Sequence, residues 1–234
     1  MRKIAARWLE GPWLMMALIL WLASTLHAAG KDASNWPSFR GEQARGVAEG
    51  YSLPVRWDVE TSKNVLWKTP VPGLGHSSPV VWGDRLFVTT AVSRDAAPTL
   101  RVGLYGDIRP VPEKVVHSWR VYCLDKTTGA VLWVRTAHEG VPKIPRHPKS
   151  THANPTPATD GRHLVAFFGS EGLYVYDMDG NLSWKKDLGV LRSGFFLAPD
   201  ALWGFASSPV IHDGKVIVQS DVLGESFLAA FDVA

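Results

Sequence analysis

A basic, proline-rich run holds the residues of this 234-residue chain that are best suited to chemistry. Its chargeable residues and the prolines between them are Lys143, Arg146, His147, Lys149 and His152, with Pro142, Pro145 and Pro148. Such a run could bind an anion, an acidic sugar or a carboxylate, because proline limits the entropy that a loop loses on ordering. A solvated basic loop is the commoner role of these residue types, and we expect that role here.

Three histidines in or near this run could suggest a metal site. His147 and His152 are five residues apart, and His138 precedes them. No cysteine or acidic residue stands beside them at a recognised zinc spacing, so we expect no metal.

A second group of candidate residues is aromatic and lies further along the chain. Its members are Phe195, Phe196, Trp203 and Phe205. These rings could form a stacking surface for a sugar or a quinone, although we expect them to pack into apolar surroundings. The candidate binding face is therefore Arg146, His147, Lys149, His152, Phe195, Phe196 and Trp203.

Catalytic patterns do not stand out elsewhere in the sequence. We find no acyl-transfer, phosphate-loop or paired-carboxylate constellation and assign no catalytic residue. Gly103-Leu104-Tyr105-Gly106 lacks the strand-to-helix setting that a dinucleotide loop needs. Cys123 is the single cysteine, which excludes an internal disulfide, and we expect it to be a buried, inert thiol.

Repeated hairpins must position these candidate residues. An aspartate, a glycine turn and a tryptophan recur at nearly fixed spacing, and the start of a third copy contains Asp232. The motif residues of the two full copies are Asp125, Thr128, Gly129 and Trp133, and then Asp177, Gly180 and Trp184. Glycine takes the positive φ that such a turn requires, so each copy predicts a β-hairpin.

A second recurring element places a proline before another Gly/Asp hairpin. Pro79, Pro157 and Pro209 are 78 and 52 residues apart, longer than the roughly 40 to 50 residues of common propeller repeats, so extra residues must lie in loops. Four strands fit each interval. The predicted strands are 77–82, 85–91, 118–124 and 131–136; then 154–159, 162–169, 172–177 and 182–186; then 206–212, 215–220 and 226–232.

The pattern predicts an all-β chain, a β-propeller of four-stranded antiparallel blades in an incomplete ring. About two blades are complete, whereas propellers need about four to eight to close. The segment Asn64-Val65-Leu66-Trp67-Lys68 is predicted to be a fourth strand without the other three. We therefore expect an N-terminal fragment of a longer protein. A sandwich of strands fits the composition but gives no reason for repetition.

The run from Cys123 to Trp133 resembles the tryptophan-docking repeat of pyrroloquinoline-quinone (PQQ) type propellers, approximately A-x-D-x-x-T-G-x-x-x-W, with cysteine replacing the small first residue. The segments from Asn35 to Gly41 and from Asn64 to Lys68 resemble the start of exported PQQ-like repeat proteins. The resemblance implies eight blades in a full-length member. It also implies that Trp133 and Trp184 pack between blades, and we expect the repeat aspartates to accept hydrogen bonds at the turns.

The N-terminal residues have the pattern of a secretory signal. Arg2, Lys3 and Arg7 precede an apolar run, and small residues follow as far as Ala29. We predict a signal peptide at 1–28, an N-terminal extension at 29–63 and a partial propeller at 64–234. An uncleaved anchor is the alternative to cleavage. The leader contains no cysteine, so we expect no lipid anchor.

Strand order predicts where a partner binds. In a four-stranded meander the short Gly/Asp turns lie on one face of the ring, and the longer connections, 92–117, 137–153 and 189–205, lie on the other. Loops longer than about 12 to 15 residues are usually functional or disordered. The small net charge of +3 gives no indication of nucleic-acid binding.

Two functions of different class remain open. We expect an exported, periplasmic, non-catalytic scaffold that binds an envelope protein or glycan through its long-loop face and needs no cofactor. The alternative is a PQQ-dependent dehydrogenase, which the resemblance implies would hold a quinone and calcium in its central channel. Such enzymes commonly carry an adjacent cysteine pair, which this sequence lacks, and no calcium ligand or catalytic aspartate can be matched.

Overall fold

The computed structural model describes residues 35–95, 100, 110–111, 113–195 and 198–234, and for residues 195 and 198–201 only the backbone. The chain divides into two compact units, Met1–Ala33 and Ser34–Ala234, and every described residue belongs to the second. The predicted signal peptide therefore lies outside the described residues. Within the described part, no helix has the length and hydropathy to span a membrane.

The described residues form antiparallel meanders. Blade 1 contains β1 (Val80–Trp82), β2 (Arg85–Ser93), β3 (His117–Asp125) and β4 (Val131–Gly140). Blade 2 contains β5 (Ala158–Thr159), β6 (His163–Phe167), β7 (Leu173–Asp177) and β8 (Leu182–Lys186). The hairpin β9 (Gly194–Phe195) and β10 (Ala198–Leu202) precedes blade 3, which contains β11 (Val210–His212), β12 (Lys215–Ser220) and β13 (Phe227–Asp232). Single 3-10 turns occupy Glu42–Ala44 and Gly169–Glu171.

The predicted class, an all-β incomplete propeller of antiparallel four-stranded blades, is confirmed. The first strand of each blade is shorter than predicted, since it begins directly after the proline of the repeat unit, at Val80, Ala158 and Val210. A proline has no N–H to donate to a strand ladder, which explains the late start. The β9–β10 hairpin was not predicted, because no Gly/Asp turn marks it.

The prediction of a strand at Asn64–Lys68 is wrong. The segment has no ladder partner among the described strands, and Asn64 has a φ of +55°. Its tryptophan nevertheless docks on blade 1, as the tryptophans of complete blades do on their neighbours. A docking motif therefore does not require strand pairing.

Blade 2 is buried on both faces. Leu164 and Ala166 of β6 belong to a core shared with blade 1, whereas Val165 and Phe167 belong to a core shared with blade 3. Alternate residues of a strand point to opposite faces of its sheet. A strand in a blade that is covered by another blade on each face must therefore be apolar on both faces. Each fully buried large aliphatic side chain contributes about 1.5–3 kcal/mol.

Three tryptophans connect successive elements by the same contact. Their Nε1–H groups donate to backbone carbonyls: Trp67 to Lys126 (2.9 Å), Trp133 to Met178 (3.1 Å) and Trp184 to Val233 (3.1 Å). The large ring is thus buried while its polar hydrogen keeps a partner, as buried indoles require.

The repeat aspartates shape the turns beneath these tryptophans. Asp125 Oδ1 accepts from the backbone N–H of Thr127 at 3.0 Å and of Thr128 at 2.7 Å. Asp177 Oδ1 accepts from the N–H groups of Asp179 and Asn181 at 2.9 and 2.8 Å. Asp232 instead pairs with Lys215 Nζ. Hydrogen bonds, first of all that from the Thr128 hydroxyl, lower the pKa of Asp125.

The turn glycine is required twice, by conformation and by space. Gly129 has a φ of +74°, and a Cβ there would lie 2.5 Å from Trp67. Gly83 has a φ of +57° but has open space at the corresponding point. A substitution at Gly83 would therefore cause backbone strain alone, whereas one at Gly129 would cause both backbone strain and overlap with a docked ring.

We expect Gly129→Ala to destabilise the protein by about 3 kcal/mol, of which strain contributes about 1 kcal/mol and overlap the rest. Gly83→Ala should cost about 1 kcal/mol because strain alone applies. Urea unfolding of the two variants measures the difference. Equal losses would show that the indole does not restrict the turn.

Candidate functional site

Two long connections meet on one face of blades 1 and 2. The first joins β2 to β3 and contains Glu113, and the second, residues 141–157, joins β4 to β5 and contains Arg146 and His152. An antiparallel bridge links them, in which Val111 N donates to Arg146 O at 2.8 Å. Trp119 of β3 holds the second connection in place, since its Nε1 donates to His152 O at 3.0 Å.

A largely enclosed carboxylate lies where the connections meet. Glu113 Oε1 accepts from Arg146 Nε at 2.9 Å and lies 2.8 Å from Arg146 Nη2. Its Oε2 is 2.9 Å from His152 Nε2 and 3.3 Å from His117 Nε2. These side chains are between 2% and 12% exposed. Burial opposes the charge on Glu113, but the groups around it outweigh burial and hold the pKa of its carboxyl far below the usual range.

His117, the first residue of β3, has its two ring nitrogens in different surroundings. Nδ1 is 2.9 Å from the Val115 carbonyl, which can only accept, so Nδ1 carries the hydrogen. Nε2 is buried beside the Glu113 carboxylate without a hydrogen-bond partner. Burial lowers the pKa of His117, but the nearby carboxylate outweighs burial and raises it.

The expectation of a solvated basic loop is wrong for most of its candidate residues. Arg146 and His147 are buried, and the side chain of His152 is only 6% exposed, because Glu113 supplies a partner for Arg146 and His152 and an indole covers His147. The His147 ring stacks on Trp203 with centroids 4.0 Å apart and an interplanar angle of 19°. Burial lowers the pKa of His147, and the charge of Lys149 lowers it further.

The three histidines considered as a metal set have different neighbours. His152 faces Glu113, His147 faces Trp203, and His138 packs against Trp119 with centroids 5.2 Å apart. His117 and Glu113 join His152 instead. Sequence spacing could not reveal this group, because Glu113 and His152 are 39 residues apart and neither belongs to a repeat motif.

The aromatic candidates divide between core and surface. Phe205 is buried against Phe167 with centroids 4.8 Å apart, whereas Trp203 is 50% exposed. Phe195 is described by its backbone alone, and Phe196 lies outside the described residues.

A concavity of about 1200 Å³ opens beside Trp203. It extends along the first strands of the three blades, and its polar and aromatic lining includes Trp82, Lys149, Asn154, Trp203 and His212. The Asn154 amide is held in place, since its Oδ1 accepts from the Thr151 hydroxyl at 2.6 Å and its Nδ2 donates to Ser150 Oγ at 2.9 Å. The concavity thus presents an indole, an ammonium group and a fixed amide.

The described lining offers few ligands for the calcium ion that the resemblance to PQQ-dependent dehydrogenases implies. Calcium takes 6–8 oxygen ligands, often carboxylates. Among the described lining residues, the acidic ones are Glu42 and Asp160. Asp160 is already occupied by the backbone N–H groups of Arg162 and His163 and by the His163 ring.

A comparison with known protein families identifies the family to which the repeat belongs. A sequence-family profile described as outer membrane protein assembly factor BamB matches residues 117–234. A search of curated proteins finds no significant match. The chain is similar to a solved quinohemoprotein alcohol dehydrogenase from Comamonas testosteroni at 16% identity and a TM-score of 0.47, covering 90% of this chain and 27% of that one.

Two further solved structures are similar at comparable identity. Quinohemoprotein alcohol dehydrogenase ADHIIG from Pseudomonas putida HK5 matches at 15% identity and a TM-score of 0.41, covering 71% of this chain and 20% of that one. BamB from Moraxella catarrhalis matches at 17% identity and a TM-score of 0.24, covering 72% of this chain and 62% of that one. The chain thus spans less than two thirds of each of these structures.

We expect Arg146→Met to destabilise the protein by about 3–5 kcal/mol, because it leaves a buried carboxylate without its main cation. Arg45→Met is the control. Arg45 faces Glu49 at 3.7 Å with both side chains exposed, and loss of such a pair costs about 0–1 kcal/mol. Denaturant unfolding compares the two, and equal small losses would mean that Glu113 does not depend on Arg146.

Cys123 should be unreactive in the folded protein. It is buried in β3, and burial raises the pKa of its thiol to about 11. The thiolate fraction at pH 8 is then roughly one in a thousand, and only the thiolate attacks a disulfide reagent. Ellman's reagent should react at least about a hundredfold faster in denaturant than in buffer. Similar rates would place the thiol at an accessible position.

Proposed function

The chain belongs to the PQQ-like repeat family whose profile is described as outer membrane protein assembly factor BamB, and from that premise we propose that it is an exported, non-catalytic propeller that binds an envelope protein or glycan through its long-loop face. The PQQ-dependent dehydrogenase is the alternative. The observation that carries the proposal is the concavity beside Trp203, whose surroundings suit binding better than chemistry.

The carboxylate of Glu113 and the guanidinium of Arg146, which lie near this face, already bind each other within the protein. Glu113 and Arg146 neutralise each other in a buried pair, so neither is available for proton transfer to a bound molecule. Glu171 is also buried, and its Oε1 accepts from Lys143 N at 3.0 Å. These groups support a structural role for the charged residues of the connections.

The exposed part of the face has the chemistry of a carbohydrate site. The half-exposed Trp203 provides a flat apolar surface, held in orientation by the His147 ring. Lys149 lines the same concavity, and its ammonium group favours an acidic sugar, whereas the Asn154 amide is already bonded to Ser150, Thr151 and Phe205. A few placed polar groups around an aromatic anchor are typical of ligand sites. We therefore favour a glycan over a protein partner.

We expect uronic-acid oligosaccharides to bind the purified protein in calorimetric titrations, and Trp203→Ala to weaken binding at least about tenfold, because an aromatic anchor is removed. Trp57→Ala is the matched control, since Trp57 is 67% exposed and does not line the concavity. A parallel titration with PQQ in calcium buffer should give no saturable heat.

Each alternative has its own outcome in this experiment. Saturable PQQ binding would overturn the non-catalytic proposal and favour the dehydrogenase. A photo-crosslinking residue can be placed at position 203, with position 57 as the control. Capture of an envelope protein from position 203 alone, together with no oligosaccharide binding, would establish the protein partner. Absence of every one of these signals in a folded protein would reject the face as a binding site.

A further inference from the structure

We propose that Glu113, His117 and His152 form a binding site for a divalent transition-metal ion of the zinc class, which joins the two long connections. Their candidate ligand atoms are one carboxylate oxygen and two imidazole nitrogens, all within 4.8 Å of one another. Two histidines and a carboxylate are an established donor set for such ions. The site is separate from the concavity and does not depend on the proposed function.

The spacing of the donor atoms suits one ion. Zinc bonds to imidazole nitrogen and carboxylate oxygen at about 2.0–2.2 Å, so tetrahedral ligand atoms stand roughly 3.3 Å apart. In the structure Glu113 Oε2 is 3.3 Å from His117 Nε2 and 2.9 Å from His152 Nε2. The two imidazole nitrogens lie within 4.8 Å of each other, so the rings would turn toward the ion to bring all three atoms to bonding distance.

The unpartnered nitrogen of His117 points to a cation. Because Nδ1 donates to the Val115 carbonyl, the neutral ring presents the Nε2 lone pair to the carboxylate. Two lone pairs facing each other in a buried place repel unless a positive charge lies between them. A backbone carbonyl on the far ring nitrogen is also the usual outer contact of a metal-bound histidine.

The surrounding charges leave one oxygen for the ion and partly balance it. Arg146 occupies Oε1 of Glu113, which fixes the carboxylate and leaves Oε2 facing the histidines. Arg146 also cancels much of the Glu113 charge, which opposes binding of a dication. Glu171 lines a small cavity together with Arg146 and His152, and its carboxylate would offset this charge, although burial raises its pKa.

A proton on His117 is the competing explanation of the same geometry. An imidazolium would also satisfy Glu113, without any ion. The two explanations differ in composition and spectrum: an ion gives a stoichiometric metal content with two imidazole ligands, and a proton gives neither.

The test begins with the unaltered protein, stripped with a chelator and titrated with zinc or cobalt. We expect one equivalent to bind, and cobalt to give the visible absorption of a four-coordinate ion. X-ray absorption of the zinc form should show two imidazoles among nitrogen and oxygen ligands at about 2.0–2.2 Å. No bound equivalent, or a bound ion with fewer than two imidazoles, would overturn the proposal without requiring any variant.

Variants then test the assignment of ligands. His152→Gln should weaken zinc binding at least about tenfold, because a ligand is lost. His212→Gln is the matched control, since His212 lies 3.4 Å from Asp213 on the surface and the change should leave affinity unaltered. Circular dichroism verifies that both variants fold. Unchanged affinity in a folded His152→Gln protein would reject the site.

Discussion

The contact between neighbouring blades is the constraint on which the rest of the structure depends. Blade 2 has apolar side chains on both faces, so it cannot be stable unless a sheet covers each side. The docked tryptophans fix the position of one blade against the next, because each indole needs both an apolar surface to pack on and a carbonyl that accepts from its Nε1–H. The turn beneath the ring must then contain glycine, which is why the same residues recur along the chain.

This packing also determines where charged residues can be buried. Because the blades are held side by side, the long connections between strands lie together on one face of blades 1 and 2. The connection before β3 and the one after β4 are brought together there, and Glu113 becomes enclosed by Arg146, His117 and His152. A buried charge must be paired to be tolerated, so this group ties the connections to each other. The polar network is thus a consequence of the blade order.

The buried group and the concavity both follow from this arrangement. The buried group around Glu113 has titratable side chains but little contact with solvent. The concavity is open to solvent, and its lining contains few acidic side chains. Trp203 links the second connection to the concavity, because His147 of that connection supports its ring and its exposed part lines the concavity. Order in the connections and the shape of the concavity are therefore coupled.

The sequence by itself determined the class of fold and nearly all of the strands in the three blades, because turn chemistry is local. An Asp/Gly turn between apolar runs makes a hairpin from a few adjacent residues, as at Gly129 and Gly180. Proline, which is also local in effect, sets where β1, β5 and β11 begin. Only the tertiary structure decided the partners of Glu113, which include His152, and the burial of Arg146 and His147. Those contacts join residues tens of positions apart, and residue types alone do not reveal which distant side chain will neutralise a charge.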